Sequence, residues 1–543
     1  MSFLLRLFVI TLLLASSSCL EPLAAGAPCT RLSDCARPFV CTNEICAPNR
    51  VGRGEEGEGE GAVDVVINEV FCRDLDGIEI INRAPTGLDL GRVAVGDNPD
   101  DLEASLTGTL PAGARVVVSL SARIACGTDA VSLAVDGVVV DTAPKRLLPA
   151  DATIGRFPDG TGEFVVVTPT RGSENLRYVD SSARLFDTLN EGVASTLPQL
   201  AITLSATAEA SLRADHKTKV EGSVTFTDAD GVVGPVVAGV RLKGQSSLRT
   251  LDGKAAFKID FGAFAADSLF GVEELTLNNM VQDNSASHER LFYGLLEREG
   301  LPAPRNGTVR VSVNGVDFGV YMALQAHDEA GFLGRHFTSS AHLYEGEYGQ
   351  DLFVSQLNNL DEDFGSDALR TDLAAVLNTI EAASEHDFMA DTAAVIDWSQ
   401  TLPNMAADMV CSHWDSYTAT KNNFYLHLDD DGVMSVLSSG PDQAFTEDIA
   451  LHGDPATRSR LLTRCLADDV CAAAFDVEAS LFADHLDDWL NAGGRDRLRA
   501  DAATLTTLFV TDSRQDWDEN QIVPLVEQLI TTLDARVAIG RGQ

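Results

Sequence analysis

The first candidate for chemistry in this sequence is a polar turn followed by two lysines. The turn comes after Arg241 and consists of Gly244, Gln245, Ser246 and Ser247. Lys254 and Lys258 follow in a predicted strand. The N–H groups of a glycine-containing turn, together with an ammonium group, can bind phosphate oxygens. The cluster lacks the GxxxxGK[ST] and GxGxxG spacings of standard phosphate loops, so two solvated lysines on an edge strand are the alternative.

A second group of residues supplies oxygen atoms. Asp415 ends a predicted helix, Asn423 begins the next strand, and Asp442 comes just after the strand that follows. Carboxylate and amide oxygens are the ligands that Mg²⁺ prefers, and Mg²⁺ accompanies bound phosphates. Each residue taken alone also fits a helix cap or a turn. Together with the lysines, these residues indicate a site for phosphate and a divalent metal.

Residues 197–543 carry the elements that must bring these groups together. Alternating apolar residues around Asn314-Gly315 predict a hairpin over 309–325. Beyond Asp361 the apolar spacing becomes helical, in stretches at 366–384, 391–411, 457–492 and 518–539. Two more strands, 423–427 and 433–438, would place Asn423 and Asp442 at the same open end of a hairpin. The pattern predicts an α+β domain with a helical C-terminal lobe.

Composition bounds the class of protein. The chain has 543 residues, 45% apolar and 22% charged, which excludes wholesale disorder and predicts three or four domains. Its net charge is -41, from 40 basic and 81 acidic side chains. Nucleic-acid binding needs a surface rich in Lys and Arg, so we expect no nucleic-acid partner.

The N-terminus predicts export. Residues 1–18, MSFLLRLFVITLLLASSS, are typical of a secretory signal and too short to span a membrane. Cys19 follows a small-residue stretch and resembles the acylated Cys of a lipobox, although Ser16 stands where Leu is usual. We expect an exported cell-envelope lipoprotein, at the outer membrane or cell surface, whose membrane contact is a lipid at Cys19. Plain secretion is the alternative.

Ten cysteines in an exported chain indicate disulfides. Residues 19–50 form a Cys-rich module with too few apolar residues for a core, so disulfides would be its main stabilisation. Its candidates, with three possible pairings left open, are Cys29, Cys35, Cys41 and Cys46. A zinc site is the alternative, but no CxxC pair or nearby His supports it. Further candidate pairs are Cys72 with Cys126 and Cys465 with Cys471, and Cys411 is left over.

A linker and a β domain follow the Cys-rich module. Residues 51–62 alternate Gly with Glu, which favours an extended, unpacked segment. Over 63–176 the apolar residues form short β-branched runs separated by Gly, Pro and Asp, which predicts an antiparallel β-sandwich. Asp136-Gly137, between two of these runs, is a strong hairpin signal.

The β domain contains four short motifs, INEV at 67–70, LPAG at 110–113, IGRFPDG at 154–160 and TPT at 168–170. With these motifs it resembles the lamin tail domain family, an immunoglobulin-like sandwich. It implies a binding or spacer module without chemistry of its own. No catalytic constellation in this range contradicts that expectation.

Within residues 190–543, a series of segments occurs in a recognisable order, including RLKGQSSLR, KAAFKIDF, VRVSVNGVDFGVYMALQ, LYEGEYGQDL, HWDSYTATKNNFYLH and PDQAF. With these segments the region resembles the CotH family of spore-coat protein kinases, a divergent branch of the kinase-like fold. They extend over some 250 residues. The resemblance implies binding of ATP with Mg²⁺ and phosphoryl transfer to Ser or Thr of a protein, whose identity the sequence does not give.

The resemblance also implies roles for individual residues. Lys258, with Lys254 as the alternative, would contact the ATP phosphates, and Arg241 with the Gly244–Ser247 turn would cover the nucleotide. Asp415 would orient the attacking hydroxyl or accept its proton. Asn423 and Asp442 would hold Mg²⁺.

Two departures from the family pattern favour a second reading. Gln325 stands where the family has an acidic residue, so the ion pair that positions the lysine is expected to be missing. Gly440 replaces the first Asp of a Trp-Asp-x-Asp segment, which removes one candidate metal ligand. The alternative is therefore a catalytically inactive, CotH-like surface adhesin or scaffold.

Overall fold

A computed structural model describes residues 39–42, 45–48, 63–72, 77–97, 102, 106–120, 124–186, 197–265 and 267–543. The chain divides into two compact units, 1–62 and 63–543. In the first unit β1 (Phe39–Thr42) pairs antiparallel with β2 (Ile45–Pro48), and Cys41 lies opposite Cys46 in the register. The predicted signal, the lipid anchor at Cys19, Cys29, Cys35 and the 51–62 linker lie outside the described residues.

The second unit begins with a β-rich region. Its strands are β3 (Val65–Phe71), β4 (Gly77–Asn82), β5 (Leu88–Asp89), β6 (Val93–Gly96), β7 (Thr109–Leu110), β8 (Arg115–Ser119), β9 (Val131–Val135), β10 (Val138–Ala143), β11 (Thr153–Phe157), β12 (Glu163–Thr168) and β13 (Leu176–Arg177). They form sheets of order β13-β12-β11-β3-β4-β8, β10-β9-β6 and β5-β7. Side chains of the two larger sheets share one buried core, which includes Ile67, Ile80, Val95, Leu133 and Ile154.

Local turn chemistry shapes this region as the sequence predicts. Asp136 and Gly137 join β9 to β10 with φ of 52° and 78°, the left-handed values that a type I′ hairpin requires. Cys72 and Cys126 form a disulfide with Cα atoms 5.8 Å apart. The immunoglobulin-like topology stays a prediction.

A buried polar network joins segments that carry the lamin tail resemblance. The Glu69 carboxylate, fully buried on β3, accepts hydrogen bonds from the Thr170 N–H (3.1 Å) and hydroxyl (2.9 Å). Glu79, equally buried on β4, accepts from the Asn68 amide at 2.8 Å. Asn68 Oδ1 in turn accepts from the Gly160 N–H at 2.8 Å. Buried polar groups need such partners, so these polar residues fix the loops rather than perform chemistry.

A closed seven-stranded barrel follows. Its strands, in the order β14-β15-β16-β17-β18-β20-β19, are β14 (Gln199–Leu204), β15 (Val220–Asp228), β16 (Gly231–Lys243), β17 (Ala256–Asp260), β18 (Glu274–Asn278), β19 (Asn306–Val313) and β20 (Val316–Gln325). Three helices accompany it: α1 (Ala183–Phe186), α2 (Ala206–Ala214) and α3 (His288–Arg298). Asn314 and Gly315, with φ of 48° and 77°, make the predicted hairpin between β19 and β20. Alternate residues such as Val240, Leu242 and Phe257 fill the interior, so neighbours between them face outward.

The remaining elements form a small sheet and a helical lobe. After α4 (Ala330–His336), the strands β21 (His342–Gly346), β22 (Asp361–Phe364), β23 (Phe424–Leu428) and β24 (Met434–Ser438) pair in the order β22-β21-β23-β24. The helices are α5 (Thr371–Ala382), α6 (Phe388–Thr392), α7 (Trp398–Val410), α8 (Tyr417–Thr420), α9 (Arg460–Ala467), α10 (Asp469–Trp489), α11 (Arg495–Phe509) and α12 (Ile522–Gly540). None of the described helices is both long and apolar enough to cross a membrane.

The predicted helical stretch 457–492 is divided in two. Asp468 ends α9 and caps α10 by accepting a hydrogen bond from the Val470 N–H at 2.8 Å. A disulfide between Cys465 and Cys471 spans the division. Cys411 is a buried free thiol.

Candidate functional site

Three basic side chains share the outer face of the barrel. Arg241 on β16 lies opposite Lys258 on β17, and Lys243 is two residues beyond Arg241 on the same face. The intervening Leu242 and Phe257 are buried inside. Of these three, Lys243 lies within the RLKGQSSLR segment but was given no role from the sequence, although its spacing from Arg241 on a strand places both on one face.

The turn after β16 depends on its glycine. Gly244 has φ of +109°, and a Cβ there would lie 2.6 Å from the Ser247 hydroxyl. Asn279 donates hydrogen bonds to the carbonyls of Ser247 (3.1 Å) and Lys254 (2.8 Å), which holds the turn against the start of β17. Gln245 and Ser246 are exposed. The turn is therefore tight, fixed at its base and open at its tip.

Lys254 lies apart from this face. Its side chain is fully buried, pairs with the carboxylate of Asp512 and donates to Gln515 Oε1 at 2.7 Å. Burial lowers the pKa of Lys254 to about 8, and Asp512 opposes that shift. The ammonium thus joins the barrel to the segment after α11, which takes two of its three N–H donors.

Lys258 has the carboxylate partner that the sequence reading expected to be absent. Its ammonium lies 2.7 Å from Glu274 of β18 and 3.8 Å from Asp328. Burial lowers the pKa of Lys258, but Asp328 and Glu274 together raise it above its ordinary value. Gln325 instead donates to Glu329 at 2.7 Å. The expectation based on Gln325 is corrected because β18 supplies the carboxylate in its place.

Asp415 and Asn423 meet directly. The Asn423 amide donates to the Asp415 backbone carbonyl at 2.9 Å and to its carboxylate at 3.0 Å, and Asn422 donates to the other carboxylate oxygen at 2.9 Å. Asn423 has φ of +47°, a left-handed value that Asn tolerates, so β23 begins one residue later than predicted. The two amides fix the orientation of the Asp415 carboxylate.

Gly440 is held against Asn423. Its φ is +57°, and an added Cβ would lie 2.9 Å from Asn423 Cγ. A side chain at this position would displace the asparagine amide. Because Asn423 approaches so closely, position 440 has no room for the acidic side chain of the family pattern.

Asp442 lies in a short 3₁₀ turn, Pro441–Gln443, directly after β24. Burial raises the pKa of its carboxyl to about 6; Asp283 and Asp415 add to the shift, while Lys243 and His288 oppose it. No described residue donates a hydrogen bond to this carboxylate. Asp442 therefore has Asp415 and Lys243 as electrostatic neighbours and free oxygen atoms.

Glu289 on α3 is a further buried acid beside this group. It accepts a hydrogen bond from the Asn278 amide of β18 at 2.6 Å. Burial, and then repulsion from Asp442, raise the pKa of Glu289 to about 8, whereas Lys243 lowers it. Glu289 is not among the residues that the sequence predicts for the site, because its neighbours Asn278 and Asp442 lie on other elements.

Glu289→Gln is expected to flatten the pH dependence of stability. The folded-state pKa of Glu289 lies above its ordinary value of 4.5. Its contribution is therefore complete below about pH 4.5 and is lost as pH rises towards 8. Urea unfolding at pH 5 and pH 8 measures the difference for wild type and variant. Glu297→Gln, exposed on the same helix, should keep the wild-type slope. An unchanged slope in Glu289→Gln would contradict the assignment.

Asp408 on α7 lies beneath the loop that carries Asp415. It is buried and accepts hydrogen bonds from the hydroxyls of Thr418 (2.6 Å) and Ser438 (2.5 Å). Burial raises its pKa to about 7, and these hydroxyls act in the opposite direction. Asp408 thereby ties the loop to the end of β24, from which Asp442 follows. The sequence signal that marks it is a single Asp within the apolar run 405–410, MAADMV, of a predicted helical stretch.

The described residues contain no group of three or more His, Cys, Asp or Glu side chains able to hold a metal ion. A cation at this site would depend on Asp442, on the Asn423 amide oxygen and on oxygens of the substrate. Mg²⁺ is commonly bound in this way, with one or two protein ligands plus phosphate and water. The donor set therefore fits Mg²⁺ only together with a phosphate-bearing ligand.

The candidate site lies within a stretch of the chain that matches a known protein family. Residues 240–475 match the family model of the CotH kinase protein, which suggests an atypical protein-kinase-like function and kinase-like nucleotide use for this part of the chain. The matched range contains Arg241, Lys243, Lys258, Asp415 and Asp442. A search of curated proteins found no match.

Proposed function

We propose that the region matching the CotH kinase family transfers the γ-phosphoryl group of ATP to a Ser or Thr hydroxyl of a protein. The observation that supports this proposal is the hydrogen-bonded group of Asp415 and Asn423 beside Asp442, with Lys243 as the nearby cation. Phosphoryl transfer needs positioned charges more than covalent chemistry. This group offers a carboxylate for the acceptor, oxygen ligands for a cation and an ammonium for phosphate.

Each side chain has a part that its surroundings allow. Asp415 would orient the acceptor hydroxyl, because two amides fix its carboxylate while each oxygen keeps a further lone pair. Lys243 would neutralise phosphate oxygens, since no described carboxylate lies within ion-pair distance of it. Lys258 is the lysine that the resemblance assigns to the ATP phosphates. It would contact them nearer α4, where Glu274 and Asp328 hold its ammonium.

Asp442 and the Asn423 amide oxygen would hold Mg²⁺. When bound, the metal would neutralise charge on the phosphate oxygens. The raised pKa of Asp442 reflects burial next to other acids, which favours a cation at this carboxylate. The Gly244–Ser247 turn and Arg241 would cover the nucleotide from the barrel side.

We further propose that the protein works outside the cytoplasm. The disulfides Cys72–Cys126 and Cys465–Cys471 support this proposal, because disulfides persist in oxidising compartments. The signal-like residues 1–18 and the lipobox-like Cys19 would direct and anchor the chain in the cell envelope. The acceptor would then be an envelope or surface protein.

The test uses the full chain. Calorimetry with ATP should detect binding with Mg²⁺ and little heat when EDTA replaces the metal. Incubation with γ-labelled ATP and envelope proteins should then label Ser or Thr of an acceptor, identified by mass spectrometry. Absence of Mg²⁺-dependent ATP binding would reject the kinase proposal in favour of a non-catalytic surface scaffold.

A further inference from the structure

One segment of the β-rich region contacts the connection between the barrel and the small sheet. Residues 144–151, between β10 and β11, are called the brace segment. Its Leu147 packs against an apolar cluster separate from the main cores, formed by Phe332 and Leu333 of α4, Leu343 of β21 and Leu437 of β24. The chain passes from the barrel to the small sheet through α4, so the brace segment lies against this connection, which is called the hinge below.

The contact with α4 is a close backbone approach. A Cβ added to Gly334 would collide with the Leu147 carbonyl oxygen and lie 2.7 Å from its carbonyl carbon. The neighbouring Gly331 differs, because its added Cβ would meet nothing nearer than Pro149 Cα at 3.6 Å. Of these two glycines, only Gly334 is needed for the close contact of α4 with the Leu147 backbone.

The brace segment also reaches both sides of the hinge. On the barrel side, the Ala150 N–H donates to the Gly271 carbonyl at 3.1 Å. On the sheet side, Lys145 forms an ion pair with Asp430, in the turn between β23 and β24. One stretch of eight residues therefore contacts the barrel, α4 and the small sheet.

The brace segment is itself fixed to the β-rich region. The Arg146 N–H donates to the Cys126 carbonyl at 2.5 Å, and Cys126 is bridged to Cys72 at the end of β3. At its other end, Asp151 accepts from the Tyr178 hydroxyl at 2.8 Å. Beyond β13 the chain continues into α1, whose Arg184 pairs with Asp228 of β15 at 2.5 Å. The brace segment is thus held at both ends by the β-rich region, whose continuation into α1 is held on the barrel.

We propose that the β-rich region is the built-in regulatory partner of the kinase-like region, and that its brace segment sets the separation between the barrel and the small sheet. The consequence for catalysis rests on the proposed function, because Lys243 belongs to the barrel and Asp442 follows β24 of the sheet. A change in hinge angle would move these two groups apart. The structural part of the proposal does not depend on any activity.

The test compares two alanine variants on the same short helix. Gly334→Ala forces Leu147 off α4, whereas Gly331→Ala makes the same chemical change without a collision. Spin labels on noncanonical residues at exposed positions Val316 of the barrel and Ala375 of α5 report the separation by pulsed EPR and leave the disulfides intact. We expect a longer, broader distance distribution in Gly334→Ala and a wild-type distribution in Gly331→Ala.

Kinetics and a charge swap complete the test. If Gly334→Ala leaves a third of molecules with the competent separation, the KM for ATP rises about threefold.

Lys145→Asp should broaden the distance distribution, and adding Asp430→Lys should restore it. A loss of packing alone would not be restored by the second substitution. Wild-type distances in both Gly334→Ala and Lys145→Asp would overturn the proposal. An inactive wild type with variant-dependent distances would reject the kinase proposal and keep this one.

Discussion

Asp442→Asn is expected to lower the rate of ATP-dependent phosphoryl transfer by about 10³-fold, the scale seen when one group that stabilises transition-state charge is removed. The substitution keeps the shape of the side chain and removes its charge. No described protein donor uses the Asp442 carboxylate, so folding does not require that charge. Burial next to Asp283 and Asp415 already disfavours it, as the raised pKa shows.

The measurement is the initial rate of phosphate transfer at saturating Mg²⁺ and ATP, together with the unfolding midpoint of each protein. Asp431→Asn, an exposed acid in the β23–β24 turn, is the matched control and should retain the wild-type rate. A wild-type rate in Asp442→Asn would reject the assignment of Asp442. A lower rate with a lower unfolding midpoint would show a structural effect instead.

Asp512→Ala is expected to reduce the free energy of unfolding by roughly 3–5 kcal/mol, because it leaves a buried ammonium without its counter-charge. Lys254 and Asp512 both have side chains with no exposed area. The same carboxylate also accepts the Val320 N–H at 2.8 Å, so the variant loses a hydrogen bond in the core of β20 as well.

Urea unfolding at pH 7 measures this loss, with Asp516→Ala as control. Asp516 is four residues after Asp512 and pairs with Arg249, but both partners of this pair are more than a third exposed. Exposed pairs contribute about 0–1 kcal/mol, so the control should be almost as stable as wild type. Equal stability of the two variants would contradict the view that Lys254 is a structural group.

The sequence predicts best those features that depend on neighbouring residues. Asp136-Gly137 and Asn314-Gly315 mark hairpins because their left-handed angles are a local requirement of the turn. The change from β-type to helical spacing beyond residue 361 is likewise local. One helix, α11, was nevertheless not predicted, although Leu498, Ala502, Leu505 and Phe509 have helical spacing.

Features that depend on distant residues were beyond sequence reasoning. The pairing of Lys258 with Glu274 follows from the register of β17 against β18, and nothing near Gln325 indicates it. The same holds for Lys254, whose partner is Asp512, far along the chain. Of the candidate site, the local link between Asp415 and Asn423 could be predicted, whereas the choice among lysines required the three-dimensional pairing.

The closure of the barrel has a consequence for how the chain reaches its native state. Strand β14 completes the barrel by parallel pairing with β19, in which Gln199 lies opposite Arg310, more than a hundred residues later. Forming that pair costs loop entropy that local hairpins do not, and such distant pairing slows folding. During synthesis, the edge of β14 that pairs with β19 has no partner until residue 313 has emerged from the ribosome. We expect ribosome-bound chains that end before β19 to be the most aggregation-prone intermediates of this protein.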